Sequence, residues 1–128
     1  MMDANLLLWI GQVLLALAFL VDAYGHTLGF GAWSIRPGMN WLADVGRDRM
    51  RIIGGLEALG AVGLIVPAAT GILPWLTPVA ASCLAIVMAL AAVYHLRRPG
   101  ERQNVTLNVI LGVIAILVAY GRFVVTPF

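Results

Sequence analysis

The chain contains no lysine, a single cysteine and few charges of either sign: eight arginines and six acids in 128 residues. One cysteine excludes an internal disulfide, a two-thiol relay and any multi-cysteine metal site. Charged residues make up 11% of the chain, against about 25% in ordinary soluble domains. The net charge of +2 lacks the clustered basic face of a soluble nucleic-acid module, so no nucleic-acid partner is expected. No basic segment precedes the first apolar run, where Asp3 stands instead. That speaks against a cleaved signal peptide, despite the small-x-small pattern Ala16-Leu17-Ala18.

What fills the chain is apolar: 62% hydrophobic residues and a mean hydropathy of +0.96. A soluble domain of this size leaves too much of its surface in water to hide such a composition. Four runs carry it, at about 6–24, 52–73 (interrupted by Pro67), 79–96 and 105–121. Each approaches the roughly 20 residues that a helix needs to cross about 30 Å of hydrocarbon. The runs are continuous rather than alternating, which excludes barrel strands. The expected fold is all-α: one domain, 1–128, a polytopic membrane protein built as an antiparallel four-transmembrane-helix bundle.

Four spans put both termini at one end and the connections 25–51 and 97–104 at the other. The second end holds seven of the eight arginines; the first has only Arg122. The positive-inside rule then predicts a cytoplasmic arginine-rich end and both termini outside the cytoplasm. Trp33 and Trp41 in the first connection are expected at the interface, and Arg122 is expected to snorkel to the opposite headgroups. The stretch 25–50 is broken by glycine and proline yet rich in apolar residues, so it reads as a segment on, or dipping into, the interface. Asp44 is expected to cap a helix starting at Val45, and Asn104 to cap the fourth span. Cys83, in an alanine-rich run, reads as a small buried hydrophobe.

Ionisable groups inside spans are costly and mark function by default. Asp22, His26, Glu57, His95, Asn104 and Asn108 all fall toward the arginine-rich end. Steps of three and four residues place them on stripes shared with small residues: Gly11, Leu15, Ala18, Asp22, His26; Gly54, Glu57, Ala61, Leu64; Ala81, Ala85, Met88, Ala92, His95; and Asn104, Asn108, Gly112, Ala115, Ala119, Arg122. Small residues allow close helix approach and polar groups then bond across the interface. Glu57 lies about 9 Å beyond Arg51 along the helix axis. At that depth it either takes a raised pKa or recruits a partner, with His26 and His95 at hand. Glu57, His95, Asn108, Asp22 and His26 are therefore the candidate ligand-binding or structural cluster; no catalytic residue is assigned. A glycine ridge, Gly60 and Gly63, is expected to serve packing inside the bundle.

The stretch from Gly54 to Arg98 resembles the DoxX-like family of small four-helix membrane proteins. The resemblance rests on the glycine-rich helix bearing Glu57, the turn with Pro67 and Pro74 to Pro78, the Ala80-Ala81 start, Met88, His95 and the ending Ala119-Tyr120-Gly121-Arg122. It implies a multi-pass protein of the bacterial inner membrane, with Glu57 and His95 at the family's intramembrane polar positions. The family takes its name from a membrane subunit of a thiosulfate:quinone oxidoreductase. Its other members are associated with oxidative-stress complexes and with receptor chaperoning in animals, so no reaction follows from kinship. The connection from Gly25 to Met50 is the departure, and the resemblance assigns it no role.

Two functions are expected in competition. One is an accessory or assembly subunit, partnered by another membrane protein or a second copy. The other is a quinone-linked redox subunit or lipophile binder using the Glu/His/Asn cluster. No resident cofactor is expected, with quinone or lipid as the alternative ligand. Two histidines are too few and too shallow to favour haem, and the scattered ligand types give no metal motif.

Overall fold

The computed structural model describes residues 2–128. Its backbone is helical, with α1 (Ala4–His26), α2 (Phe30–Trp33), α3 (Trp41–Val45), α4 (Arg47–Thr70), α5 (Leu76–Leu96) and α6 (Arg102–Tyr120), closed by a turn of π-helix at Gly121–Val125. Four of these, α1, α4, α5 and α6 with its terminal turn, are long and apolar enough to cross a membrane. α1 packs on α4 and α5 on α6, and contacts of α4 with α5 and α1 with α6 close the ring. The protein is a four-helix membrane bundle, as expected from the four apolar runs.

The bundle is narrow because small residues stand at the crossings. A side chain at Gly60 would collide with Leu84, and one at Gly63 with the methyl of Ala80, so this ridge packs inside the bundle against α5. Leu15, Phe19, Leu64, Leu84, Met88 and Val118 fill the interior. Outward positions such as Leu14, Leu59, Leu90 and Ile116 are also apolar. A helix apolar on every side is a lipid-embedded helix. Cys83 is among the outward residues rather than in the core: it lies one position before the buried Leu84, about 100° around the helix.

Helix ends differ from the expected ones for local reasons. Asp3 caps α1 by accepting a hydrogen bond from the Leu6 N–H at 2.8 Å. α4 starts at Arg47, not Val45, because Gly46 sits at φ +100°, a left-handed conformation that breaks the chain between α3 and α4. Asp44 is thereby left in α3, free to pair elsewhere. Asn104 lies inside the first turn of α6, whose N-cap position belongs to Glu101. α4 continues through Pro67 and stops at Thr70. Proline lacks an N–H, so the Gly63 carbonyl four residues earlier loses its helical donor. The Thr77 hydroxyl of α5 donates to that carbonyl at 3.1 Å.

The connection 27–46 folds back as a cap over the arginine-rich end. Phe30, Leu42 and Met50 form a second small core, with Trp33, Met39, Trp41, Val45 and Ile53 against it. Trp33 lies so close to Gly25 that any Cβ there would overlap its ring.

The Thr77 hydroxyl substitutes for the donor Pro67 lacks, so the two positions should be coupled. Thr77→Val should cost about 0.5–1.5 kcal/mol, and less in a Pro67→Ala background, where a backbone N–H serves Gly63. Denaturation of wild type and the three variants in detergent checks this.

Candidate functional site

The polar residues separate into two centres at opposite ends of the bundle. At the arginine-rich end, α1 and α4 cross closely because Gly54 faces the Ala23 carbonyl, the His26 Cβ and the Thr27 methyl group. This crossing brings His26 Nδ1 to 2.5 Å from Glu57 Oε1. Glu57 is only 1% exposed. Asp22, one turn before His26, is half-buried and within electrostatic reach of both. Of the two histidines available to Glu57, the structure pairs it with His26.

His95 has a different partner. Its Nδ1 stands 2.6 Å from Glu101 Oε1. Arg98 Nε donates to Glu101 Oε2 at 2.6 Å, and Arg98 Nη2 donates to Asp44 Oδ2 at 2.5 Å. The chain His95–Glu101–Arg98–Asp44 thus ties α5, the 97–101 loop and the cap together. Burial works to raise the Glu101 pKa, but hydrogen bonds from Arg98 and His95 outweigh it and hold the carboxylate below its ordinary range. Hydrogen bonds to Glu101 and Asp44 push the Arg98 pKa up. Glu101 went unnoticed in the sequence because it follows Arg97 and Arg98 and precedes Arg102, like a solvated loop acid.

Trp41 joins the two pairs. Its ring meets His26 edge-on with centroids 5.7 Å apart, and His95 at 4.7 Å. Trp41 is therefore a wedge between two histidines, half-buried, rather than a headgroup anchor. Trp33 stands edge-on to His26 at 6.3 Å, with the Arg36 guanidinium over its outer face at 5.1 Å. Two donors at this end, Trp41 Nε1 and Asn108 Nδ2, are buried without a hydrogen-bond partner. Among the described residues, no three histidine, cysteine or acidic side chains converge as metal ligands do.

The other end holds a centre that sequence reasoning missed. Arg122 does not snorkel outward: it is 2% exposed. Its Nε donates to Gln12 Oε1 at 2.7 Å and its Nη1 to Asn5 Oδ1 at 2.8 Å. Gln12 in turn donates to the Leu64 carbonyl at 2.7 Å, so α1, α4 and the end of α6 are tied through one amide. The π-turn positions the arginine, closing with a hydrogen bond from the Thr126 N–H to the Gly121 carbonyl at 2.7 Å. The Thr126 side-chain oxygen also lies 3.2 Å from Nη1. The signal was present in the pattern, because Arg122 continues the inward stripe of Gly112, Ala115 and Ala119.

Two outcomes follow from these pairings. Glu57→Leu and His26→Leu should each cost about 1–3 kcal/mol by leaving a buried polar partner unmatched, and together cost less than their sum; Glu57→Gln should be the mildest change. Thermal unfolding in detergent reads all four. Glu101 has a folded pKa below its unfolded value of about 4.3. Its stabilising contribution is complete above that value and is lost as pH falls through the folded pKa. Wild type should therefore lose stability in acid more steeply than Glu101→Gln, which should be weaker at neutral pH; melting curves from pH 7 down to pH 3 check the sign.

No curated protein and no solved structure matches the chain. A family model does match, over residues 10–118. That range takes in Gln12, both histidines, Glu57, Glu101, Asn108 and the cap, and stops short of Arg122. With four apolar helices in a closed ring and a family match over most of its length, the chain belongs to the DoxX-like family.

Proposed function

We propose that the chain is an accessory or assembly subunit of a bacterial inner-membrane complex, with its arginine-rich end in the cytoplasm and both termini outside. The orientation rests on the arginine bias between the two ends. The role rests on where the polar groups and the exposed apolar groups lie. Glu57 spends its carboxylate on His26, and His95 is engaged by Glu101. These pairs hold the bundle and its cap in one arrangement. The surface they support carries the observation that most favours this reading. Among the described residues, the two most exposed large apolar side chains, Leu28 at 88% and Ile35 at 83%, are both on the cap rather than on the spans. They flank α2, on which Arg36 lies over the Trp33 ring and Arg47 over the Phe30 ring. Apolar residues rimmed by cations at a membrane surface suit a protein partner with an apolar, acidic face.

The test is retention of a partner from native membranes. A defined protein should co-purify at fixed stoichiometry with wild type and Glu57→Gln, and be lost with Leu28→Asp and Ile35→Asp, both still folded. Equal retention by the cap variants, or no protein held at fixed stoichiometry, overturns the reading.

A second reading, a quinone or similar lipophile bound at the arginine-rich end, draws support from the two unpartnered donors Trp41 Nε1 and Asn108 Nδ2. Either could donate to a carbonyl oxygen. The reading requires that an added quinone raise the melting temperature of wild type and not of Asn108→Leu.

A further inference from the structure

At the terminal end, Arg122 is a cation enclosed by neutral groups. Among the described residues its partners are Gln12, Asn5 and Thr126, none of them acidic. Phe128 and Trp9 lie by its Cζ, with ring centroids at 4.2 and 5.6 Å. Enclosing a guanidinium without a counter-charge is costly. One corner has a donor to spare: Nη2 makes only a long contact, 3.5 Å to the Asn5 carbonyl. Asn5 belongs to the first turn of α1, so this corner stands at the level where the spans meet the headgroups.

An apolar groove and an open apolar face border the same half of α1. One, of about 230 Å³, runs between α1 and the end of α6 and is lined by Leu7, Leu8, Leu117, Gly121 and Val125 among others. Gly121 is the immediate neighbour of Arg122, and Leu8 packs on it so closely that a Cβ there would overlap the leucine. The second is the open, shallow face of α1 itself, made by Trp9, Ile10, Val13 and Leu14, and Trp9 is one of the rings beside the guanidinium. A lone cation near the helix ends therefore neighbours a shallow, mostly apolar groove, with Tyr120 in its wall, and an apolar face of α1.

We propose that this end of the bundle is a binding site for an anionic phospholipid, its phosphodiester drawn to Arg122 Nη2 and its acyl chains laid along the groove between α1 and the end of α6 and the adjoining apolar face of α1. The charge of the headgroup complements the cation, and the guanidinium has the donor geometry that phosphate takes. Phe128, 48% exposed, is the ring that has to tilt aside as the phosphate approaches. The site is independent of the cap and of Glu57.

The experiment compares three additives to the detergent-purified full chain: dioleoyl phosphatidylglycerol, dioleoylglycerol, which lacks the phosphate, and glycerol phosphate, which lacks the chains. The melting temperature and the bound mass in native mass spectrometry are read for wild type, Arg122→Gln and Leu117→Trp. Leu117→Trp fills the groove without touching the arginine, so it reports even if Arg122→Gln fails to fold. Phosphatidylglycerol should raise the melting temperature of wild type and appear as a one-to-one adduct, and most of that rise should vanish in Leu117→Trp. Equal stabilisation by dioleoylglycerol would mean simple groove filling, and equal stabilisation by glycerol phosphate a free-anion site; either overturns the proposal. So does an unchanged response in Leu117→Trp, which would place the lipid at the arginine-rich end.

Discussion

A carboxylate in an apolar bundle must find its partner inside the protein, and Glu57 finds His26. That contact constrains much of what surrounds it. It requires α1 and α4 to cross closely, which Gly54 permits by offering no side chain to the Ala23 carbonyl. It places His26 where Trp41 can rest against it, and Trp41 in turn reaches His95. The connection 27–46, broken by glycine and proline, is thereby drawn onto the end of the bundle. The cost of leaving a polar group unmatched in such surroundings exceeds what any single apolar contact returns, so few groups set the arrangement.

The bundle uses the same device twice. At the arginine-rich end the ties are ionisable pairs, His26–Glu57 and His95–Glu101, with Arg98 carrying the second out to Asp44. At the terminal end the tie is a cation held by amides, Arg122 to Gln12 and Asn5. Between the two lies an apolar middle of Leu15, Phe19, Leu64 and Leu84. The ends are thus clamped separately, and the helices between them need only small residues at their crossings. The outer surface stays free for lipid, and Leu28 and Ile35 stand exposed on the cap.

Much of the fold was legible because hydropathy and helix period speak directly. The stripe Gly54, Glu57, Ala61, Leu64 is buried throughout, as are Gly112, Ala115 and Ala119 on α6 and Arg122 on the terminal turn. The phase of α1 was read less well: its inward face is Gln12, Leu15, Ala16, Phe19, Ala23 and His26, with Gly11, Ala18 and Asp22 at its margin. Phe19 and Gln12 differ from the small or charged residues that the stripe was built on, so neither stood out. The choice of His26 over His95 for Glu57 was not legible, because it depends on the close crossing of α1 and α4 at Gly54, which stripe spacing within each helix does not fix. The inward path of Arg122 depends on the π-turn, which spacing at three and four residues does not describe.

The most direct measurement is of the Glu57 carboxyl itself. Solid-state NMR on protein in lipid bilayers, labelled at glutamate carboxyl and histidine ring nitrogens, reports which imidazole lies beside it. A short dipolar contact from Glu57 to the His26 Nδ1, with the His95 ring in contact with Glu101 instead, is the expected result. A contact from Glu57 to His95, or a Glu57 carboxyl correlated with mobile water and with neither ring, would contradict the closed arrangement on which the proposed role depends.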